Sequence, residues 1–454
     1  MRVALVLFTR DLRVHDQPAL SAAAREAEAV VPLFVLDDAI VGSPYTSPNR
    51  VAFLRDSLRD LDESLRGRGS RLHLRRGDVV AEVVTAVRDV HAEAVFATTD
   101  VSRYAQRRQR RLAGALSSER IDLRLVDSTT AVAADEVRTS AGEHFSVFTP
   151  YHRRWREAPR RAVLRAPARL RTPSALAHGR LPALRALVNG RPSPDLPRGG
   201  ETEGRARLTA WARSGLDRYG ALHDNLAADA SSRLSPYLHL GCLSSLEVLE
   251  RVRERPGAEL FVRQLAWRDF FHQLLAARPE TARDDMRSRG DRWRDDGEAL
   301  EAWKRGRTGY PLVDAGMRQL RREGFMPNRA RLVTASFLAK HLYVDWRHGA
   351  RHFFELLVDG DVANNVGNWQ WVAGTGADTR PNRVFNPVRQ ARRFDPTGAY
   401  VRRYVPELAH VEGAAVHEPW RLGRRRPADY PDPIVDHDEA VVRFRAARRR
   451  DATA

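Results

Sequence analysis

Two carboxylates, three asparagines and two tryptophans crowd into Leu356–Gly376, LLVDGDVANNVGNWQWVAGTG. The spacing predicts a helix over Val362–Val372. Its 3.6-residue turn would stack Asp361, Asn365 and Trp369 at i, i+4 and i+8. Trp371, two residues on, is turned about 200° round the same axis and faces nearly the opposite way. One face then suits a planar cofactor held beside an indole, and the other offers an aromatic platform to a second ligand. A buried helix end with satisfied polar groups accounts for the same residues, yet burying so many of them without a use is costly.

Three further stretches carry residue types with a chemical use. In Ser231-Ser232-Arg233-Leu234-Ser235-Pro236, Ser235 as N-cap before Pro236 would let free backbone N–H groups, hydroxyls and Arg233 converge on a phosphate. A plain capped helix explains the motif equally. Gln264, Trp267 and Arg268 at i, i+3 and i+4 share a helix face suited to stacking on a base and pairing with its edge. A helix surface with a half-buried tryptophan is the alternative. Asn328 can cap the helix that follows it, and Arg329 and Arg331 are charged donors. Trp303 and Trp346 ordinarily read as packing. They become an electron relay only if Trp369 abuts a redox cofactor.

The elements that must position these residues fall into two regimes. Short apolar runs at 2–9, 29–37, 71–75, 94–99 and 122–128 alternate with helical patterns such as Val51–Arg66, which implies a mostly parallel sheet covered on both faces. No GxGxxG follows the first strand and no GxxxxGK[ST] occurs; ligands would sit at the strands' carboxyl ends, near Asp37, Asp38, Asp100 and Tyr104. Ordinary loop polarity explains these four as well. Residues 156–200, rich in Arg, Ala and Pro, read as a connector. Beyond 201 helices dominate: Arg205–Arg213, Ser245–Arg253, Leu260–Ala277, Tyr310–Glu323, Arg329–Val344 and Gly349–Leu357. Ser244 and Glu247 form a capping box. Residues 380–443 read as irregular. The expected division is an α/β domain over 1–130, a connector over 131–200 and an all-α domain over 201–454.

Composition bounds the rest. A chain of 454 residues suits two or three domains. There is no run of about 18 apolar residues to span a membrane. A single cysteine, Cys242, excludes a disulfide scaffold and disfavours a cysteine-held metal; no metal site is expected, and a cytoplasmic setting is. The net charge of +18 favours polyanions such as nucleic acid. Only Lys304 and Lys340 of the 76 basic residues are lysine, however, a skew that codon bias produces as readily as a binding adaptation.

Taken in order, VLFTRDLRVHD, SSRLSPYLHLG, QLAWRDF, TGYPLVDAGMRQL, NRARLVTASFLAKHLYVDW, DGDVANNVGNWQWVAGTG and RVFNPVRQARRFD resemble the DNA photolyase and cryptochrome family over nearly the whole chain. The resemblance is to its class I cyclobutane pyrimidine dimer photolyases. It implies an α/β Rossmann-like antenna domain and a helical domain holding bent FAD. It places Tyr219, the loop Ser231, Ser232, Arg233, Leu234 and Ser235, and Phe261, Gln264, Arg268, Asn328, Arg331, Asp359, Gly360, Asp361 and Asn365 around the flavin, Asn365 facing N5. Trp303, Trp346 and Trp369 match the photoreduction relay. Trp267 and Trp371 match the clamp on a flipped pyrimidine dimer in UV-damaged DNA. His223, Gln264, Asn328, Arg329, Arg383 and Gln390 match lesion or strand contacts. Val101–Leu112 (VSRYAQRRQRRL) is similar to members with an 8-hydroxy-5-deazaflavin antenna rather than folate, with Asp38, Arg50, Asp100 and Tyr104 as antenna residues. Gln264 replaces the glutamate of the best-known dimer photolyases, as in six-four photolyases, but Pro327 and Asn328 stand where those carry a catalytic histidine. Phe261 and Phe325 replace tryptophans, and Ala391 a glycine. A monomeric light-driven repair enzyme is expected. A cryptochrome photoreceptor is the first alternative, disfavoured by the lack of a long C-terminal tail, and a six-four photolyase the second.

Overall fold

The computed structural model describes residues 1–173 and 176–450. Ser174 and Ala175, within the expected connector, and residues 451–454, at the end of the expected helical domain, lie outside the described residues. Five parallel strands, β1 (Val3–Phe8), β2 (Ala29–Asp37), β3 (His73–Gly77), β4 (Ala94–Thr98) and β5 (Asp122–Val126), form one sheet in the order β3-β2-β1-β4-β5. The register runs Val3 to Ala29 and Ala4 to Ala94. β1 and β2 are continuous apolar runs because helices cover both faces: α1 (Pro18–Glu26), α2 (Asp38–Val41), α3 (Pro48–Arg66), α4 (Val79–Val90) and α5 (Arg103–Ser118). β3 begins two residues later than its apolar pattern suggests, since the Leu72 amide is taken by the Asp62 carboxylate.

The helical part comprises α6 (Phe148–Glu157), α7 (Glu201–Ser214), α8 (Leu216–Leu222), α9 (Ser235–His239), α10 (Ser245–Val252), α11 (Glu259–Ala277), α12 (Gly297–Arg305), α13 (Pro311–Glu323), α14 (Asn328–Ser336), α15 (Trp346–Leu356), α16 (Val362–Ala373), α17 (Pro387–Phe394), α18 (Ala399–Tyr404) and α19 (His437–Arg450). Three expectations need correction. The connector is not wholly irregular: α6 lies within it and buries Phe148, Tyr151 and Trp155 at i, i+3 and i+7 beneath an arginine-rich outer face. The helix expected over Arg329–Val344 is α-helical only to Ser336, passes into a π-helical stretch at Phe337–Leu342, and stops at Tyr343 in the left-handed region (φ 54°). Residues 380–443 hold α17, started by the Asn386 cap and Pro387, then α18, four short 3-10 turns and the start of α19.

The two parts share a core that runs from Phe8 and Phe53 to Phe270 and Leu275. Polar ties reinforce it. Glu201 accepts the Val14 and His15 amides, and buried Arg13 donates to the Gly241 carbonyl. Arg10, after β1, donates both to Asp100 after β4 and to Asp361 before α16. Among the described residues no helix is long and apolar enough to cross a membrane.

Candidate functional site

Helix α16 forms where its period predicts, and Asp361 is its N-cap rather than a member of its first turn. The Asp361 carboxylate accepts the Asn364 amide at 2.9 Å and its side-chain N–H at 2.8 Å. The other oxygen accepts from Arg10, with His272 Nε2 at 3.5 Å and His239 Nδ1 at 4.0 Å. Burial alone would raise this carboxyl; His272, Arg10 and His239 outweigh it and hold the group well below the usual carboxylate range. Asp359 is paired with Arg331 through two contacts of 2.8 and 3.1 Å. Gly360 lies between the acids with no room for a side chain, since a Cβ would stand 2.8 Å from the Arg50 guanidinium.

Further along α16, Asn365 is buried and donates to the Ala350 carbonyl at 2.9 Å. Trp369 is buried edge-on to Phe353 and Trp303, centroids 4.9 and 6.1 Å away, and its indole N–H has no partner among the described residues. Trp371 is half-buried on the other side, under the Arg383 guanidinium at 5.0 Å. The opposite facing of the two indoles is therefore present.

The serine loop departs from expectation. Ser235 is the first residue of α9, not its cap, and α9 has five residues, too short a dipole to organise an anion. Arg233, at φ 52°, is held by Asp229 and by Glu323, each at 2.8 Å, so its guanidinium is already neutralised. What remains open is Ser231 Oγ, buried without a partner among the described residues. Phe261 packs on Trp211 and Tyr219 at 4.4 and 5.6 Å in an aromatic box. An unpartnered buried hydroxyl, an unpartnered indole N–H and fixed carboxylates fit a large ligand with phosphate and ring donors and acceptors, as FAD is.

On the opposite face Trp267 is half-buried, and Phe148 of α6 covers one side of its ring at 3.6 Å and 6°. Gln264, Asn328 and Arg383 are exposed. Asn328 is the first residue of α14, not its cap, which is Pro327. Arg268 turns inward to the Thr129 and Leu238 carbonyls, so it does not share the outer face with Gln264. Arg329 pairs with Asp224 at 2.6 Å and is not a free cation. His223 gives Nδ1 to the Tyr219 carbonyl at 3.0 Å. Gln390 Oε1 is buried and unpartnered among the described residues.

Trp303 is fully buried and Trp346 nearly so, so a relay ending at Trp303 has no outlet to solvent. Nothing in the sequence singled out Trp293, which is half-buried with its ring 5.0 Å from Tyr343. The four antenna residues each already have a protein partner. Asp38 pairs with Arg76, Asp100 with Arg10, and Tyr104 donates to Asp37. Arg50 donates to the Phe354 and Leu357 carbonyls at the end of α15 and to the Tyr45 carbonyl. Phe148, Trp211 and Glu323 also escaped notice, being apolar or charged residues on ordinary helical patterns. No cluster of metal-ligating side chains exists among the described residues.

The architecture is a parallel α/β sheet joined to a helical part whose helix α16 turns one indole inward and one outward. Residues 4–172 match the DNA photolyase family model, and 261–450 match the FAD binding domain of DNA photolyase. A deoxyribodipyrimidine photo-lyase of Streptomyces griseus is 54% identical over 99% of this chain and 100% of its own length. A bacterial class III photolyase from Agrobacterium tumefaciens superposes with a TM-score of 0.92 at 32% identity, covering 100% of this chain and 98% of that one. A Synechocystis cryptochrome superposes with a TM-score of 0.91 at 30% identity, covering 98% and 99%. The chain belongs to the DNA photolyase family, and it is an enzyme with an FAD-binding domain.

Proposed function

We propose that this enzyme is a class I photolyase that repairs cyclobutane pyrimidine dimers in UV-damaged DNA. Its division would be an antenna domain over 1–130, a connector over 131–200 and a catalytic domain over 201–454. The observation that carries this is the opposed pair on α16: Asn365 and Trp369 turn inward beside the fixed acids, while Trp371 turns outward with Arg383. Bound FAD would supply the light-excited electron that splits the dimer. The chain's own residues do the rest. Asp359 with Arg331, Asp361, Ser231 and Asn365 would hold and orient the flavin. Trp267, half-buried and braced on one side by Phe148, would stack on a flipped base, and Trp371 would form the opposing wall. A lesion stacks poorly, so extruding it costs less than extruding an intact pair. Gln264 donates and accepts at the base edge but carries no carboxyl proton.

Trp369 and Trp346 relay electrons inward, and Trp293, not Trp303, is assigned as the outlet. The antenna is assigned as 8-hydroxy-5-deazaflavin at the carboxyl ends of the strands, on the likeness of Val101–Leu112 to deazaflavin-binding members. The decisive experiment is blue irradiation of the reduced protein with oligonucleotides carrying either a cyclobutane dimer or a six-four product. Loss of the dimer alone is expected. Repair of the six-four product, or of neither, would overturn the assignment. The Synechocystis cryptochrome match keeps a photoreceptor as the second reading, which predicts no loss of either lesion.

A further inference from the structure

We infer that Lys340 is a positioning residue for the lesion face: it grips two carbonyls of the turn at 381–383 and so holds Arg383 against Trp371. The inference rests on the reading of Trp371 as a wall of the lesion pocket. In a chain whose basic residues are almost all arginine, two lysines remain. Lys304 is an ordinary surface partner of Glu301. Lys340 is different, being 2% exposed within the π-helical stretch.

Its Nζ donates to the Pro381 carbonyl at 2.8 Å and the Arg383 carbonyl at 2.7 Å, and stands 5.5 Å from the Phe444 ring of α19. A buried cation is retained only with such partners, and both of its partners lie on one three-residue stretch. The other side of that stretch is closed by Gly374 (φ 84°), where a Cβ would stand 2.4 Å from the Pro381 carbonyl. The turn is thus pinned between the end of α16 and Lys340. Arg383 projects from it with its guanidinium 5.0 Å from the Trp371 and Phe385 rings alike. A compact ammonium with rotatable donors reaches two carbonyls two residues apart; a planar guanidinium fork fits that geometry poorly. Burial pushes the ammonium down to about 7, with Arg448 and Arg383 adding to the effect and Asp378 and Asp291 opposing it. The neutral amine keeps two N–H donors, one for each carbonyl, so the clasp holds on either side of that pH.

The test is Lys340→Met in the full-length flavoprotein, alone and combined with Arg383→Ala. Binding to dimer-containing and undamaged oligonucleotides is measured together with flavin absorbance and the kcat and KM of repair. The expected result is an about tenfold weaker affinity for the dimer, a loss of about 1.4 kcal/mol, carried by KM. Undamaged-DNA binding, flavin content and kcat should stay unchanged. In the Arg383→Ala background Lys340→Met should add less than about twofold, because the two act through one contact. Unchanged dimer affinity, or a full effect in the Arg383→Ala background, overturns it. If Lys340→Met does not fold, Lys340→Gln replaces it; failure of both to yield soluble protein also overturns it, since the lysine would then serve the fold. Failure of the parent reading shows separately, as wild-type protein with no preference for dimer over undamaged DNA.

Discussion

Gly349→Ala tests the packing that fixes the inner indole. Gly349 sits on α15 where that helix crosses α16, and a Cβ there would stand 2.2 Å from Trp369 Cη2 and 2.5 Å from Leu338 Cδ2. Carbon atoms pack at about 3.5 Å or more, so the indole or the helix must give by about 1.3 Å. Both neighbours are buried. Overpacking of this kind costs about 1–3 kcal/mol, against a helix-propensity gain of roughly 0.5–1 kcal/mol for replacing glycine by alanine. The steric term wins, leaving a net loss of about 1–2 kcal/mol. For a domain of this size that is roughly 2–8 °C in Tm. The control is Gly114→Ala on α5, where nothing lies within 4 Å of the added carbon; it should be neutral or gain about 0.5 kcal/mol. Thermal unfolding of the two variants reads the stability term, and the rate of flavin photoreduction reads the displaced Trp369. If Gly349→Ala melts with Gly114→Ala and photoreduces at the wild-type rate, the α15–α16 contact does not hold Trp369 as described.

Trp369→Phe should abolish photoreduction yet leave repair intact once the flavin is chemically reduced; loss of repair under that condition contradicts the relay. Trp293→Phe should slow photoreduction far more than Trp346-distant surface changes, measured as the rise of reduced-flavin absorbance under an external donor. Asp361→Asn keeps the N-cap and removes one charge facing Arg10, at a cost of about 3 kcal/mol. Because the folded carboxyl titrates well below its unfolded value, that contribution is complete above about pH 4 and lost as pH falls through the depressed range. Unfolding of wild type and variant should therefore differ at pH 7 and converge in acid. Binding to undamaged DNA should fall on the order of a thousandfold between 50 and 200 mM salt, and a flat response would mark the +18 net charge as compositional only.

Much of this molecule was legible in its sequence, for identifiable reasons. The strands stand out because a parallel sheet buried on both faces needs unbroken apolar runs, as in Val3–Phe8. α16 follows from its period, and the opposed tryptophans follow from two residues of a 3.6-residue turn. What escaped depends on contacts far apart in the chain. Arg233, Arg268 and Arg329 look like free cations until Glu323, Thr129 and Asp224 are folded against them. α6 is obscured by arginines that only its packing shows to be an outer face. Trp303 and Trp293 are equally plausible relay members in a string of letters. Depth separates them, and depth is a property of the folded chain.

Arg10 has a mechanical consequence. One guanidinium answers to a carboxylate just after strand β4 and to another at the cap of α16. If the two halves were expressed as separate polypeptides, Arg10 would keep Asp100, whereas Asp361 would lose its arginine on a surface that is normally dry. Such fragments should be poorly soluble alone and recover only when co-expressed, and the intact chain should melt as one cooperative block.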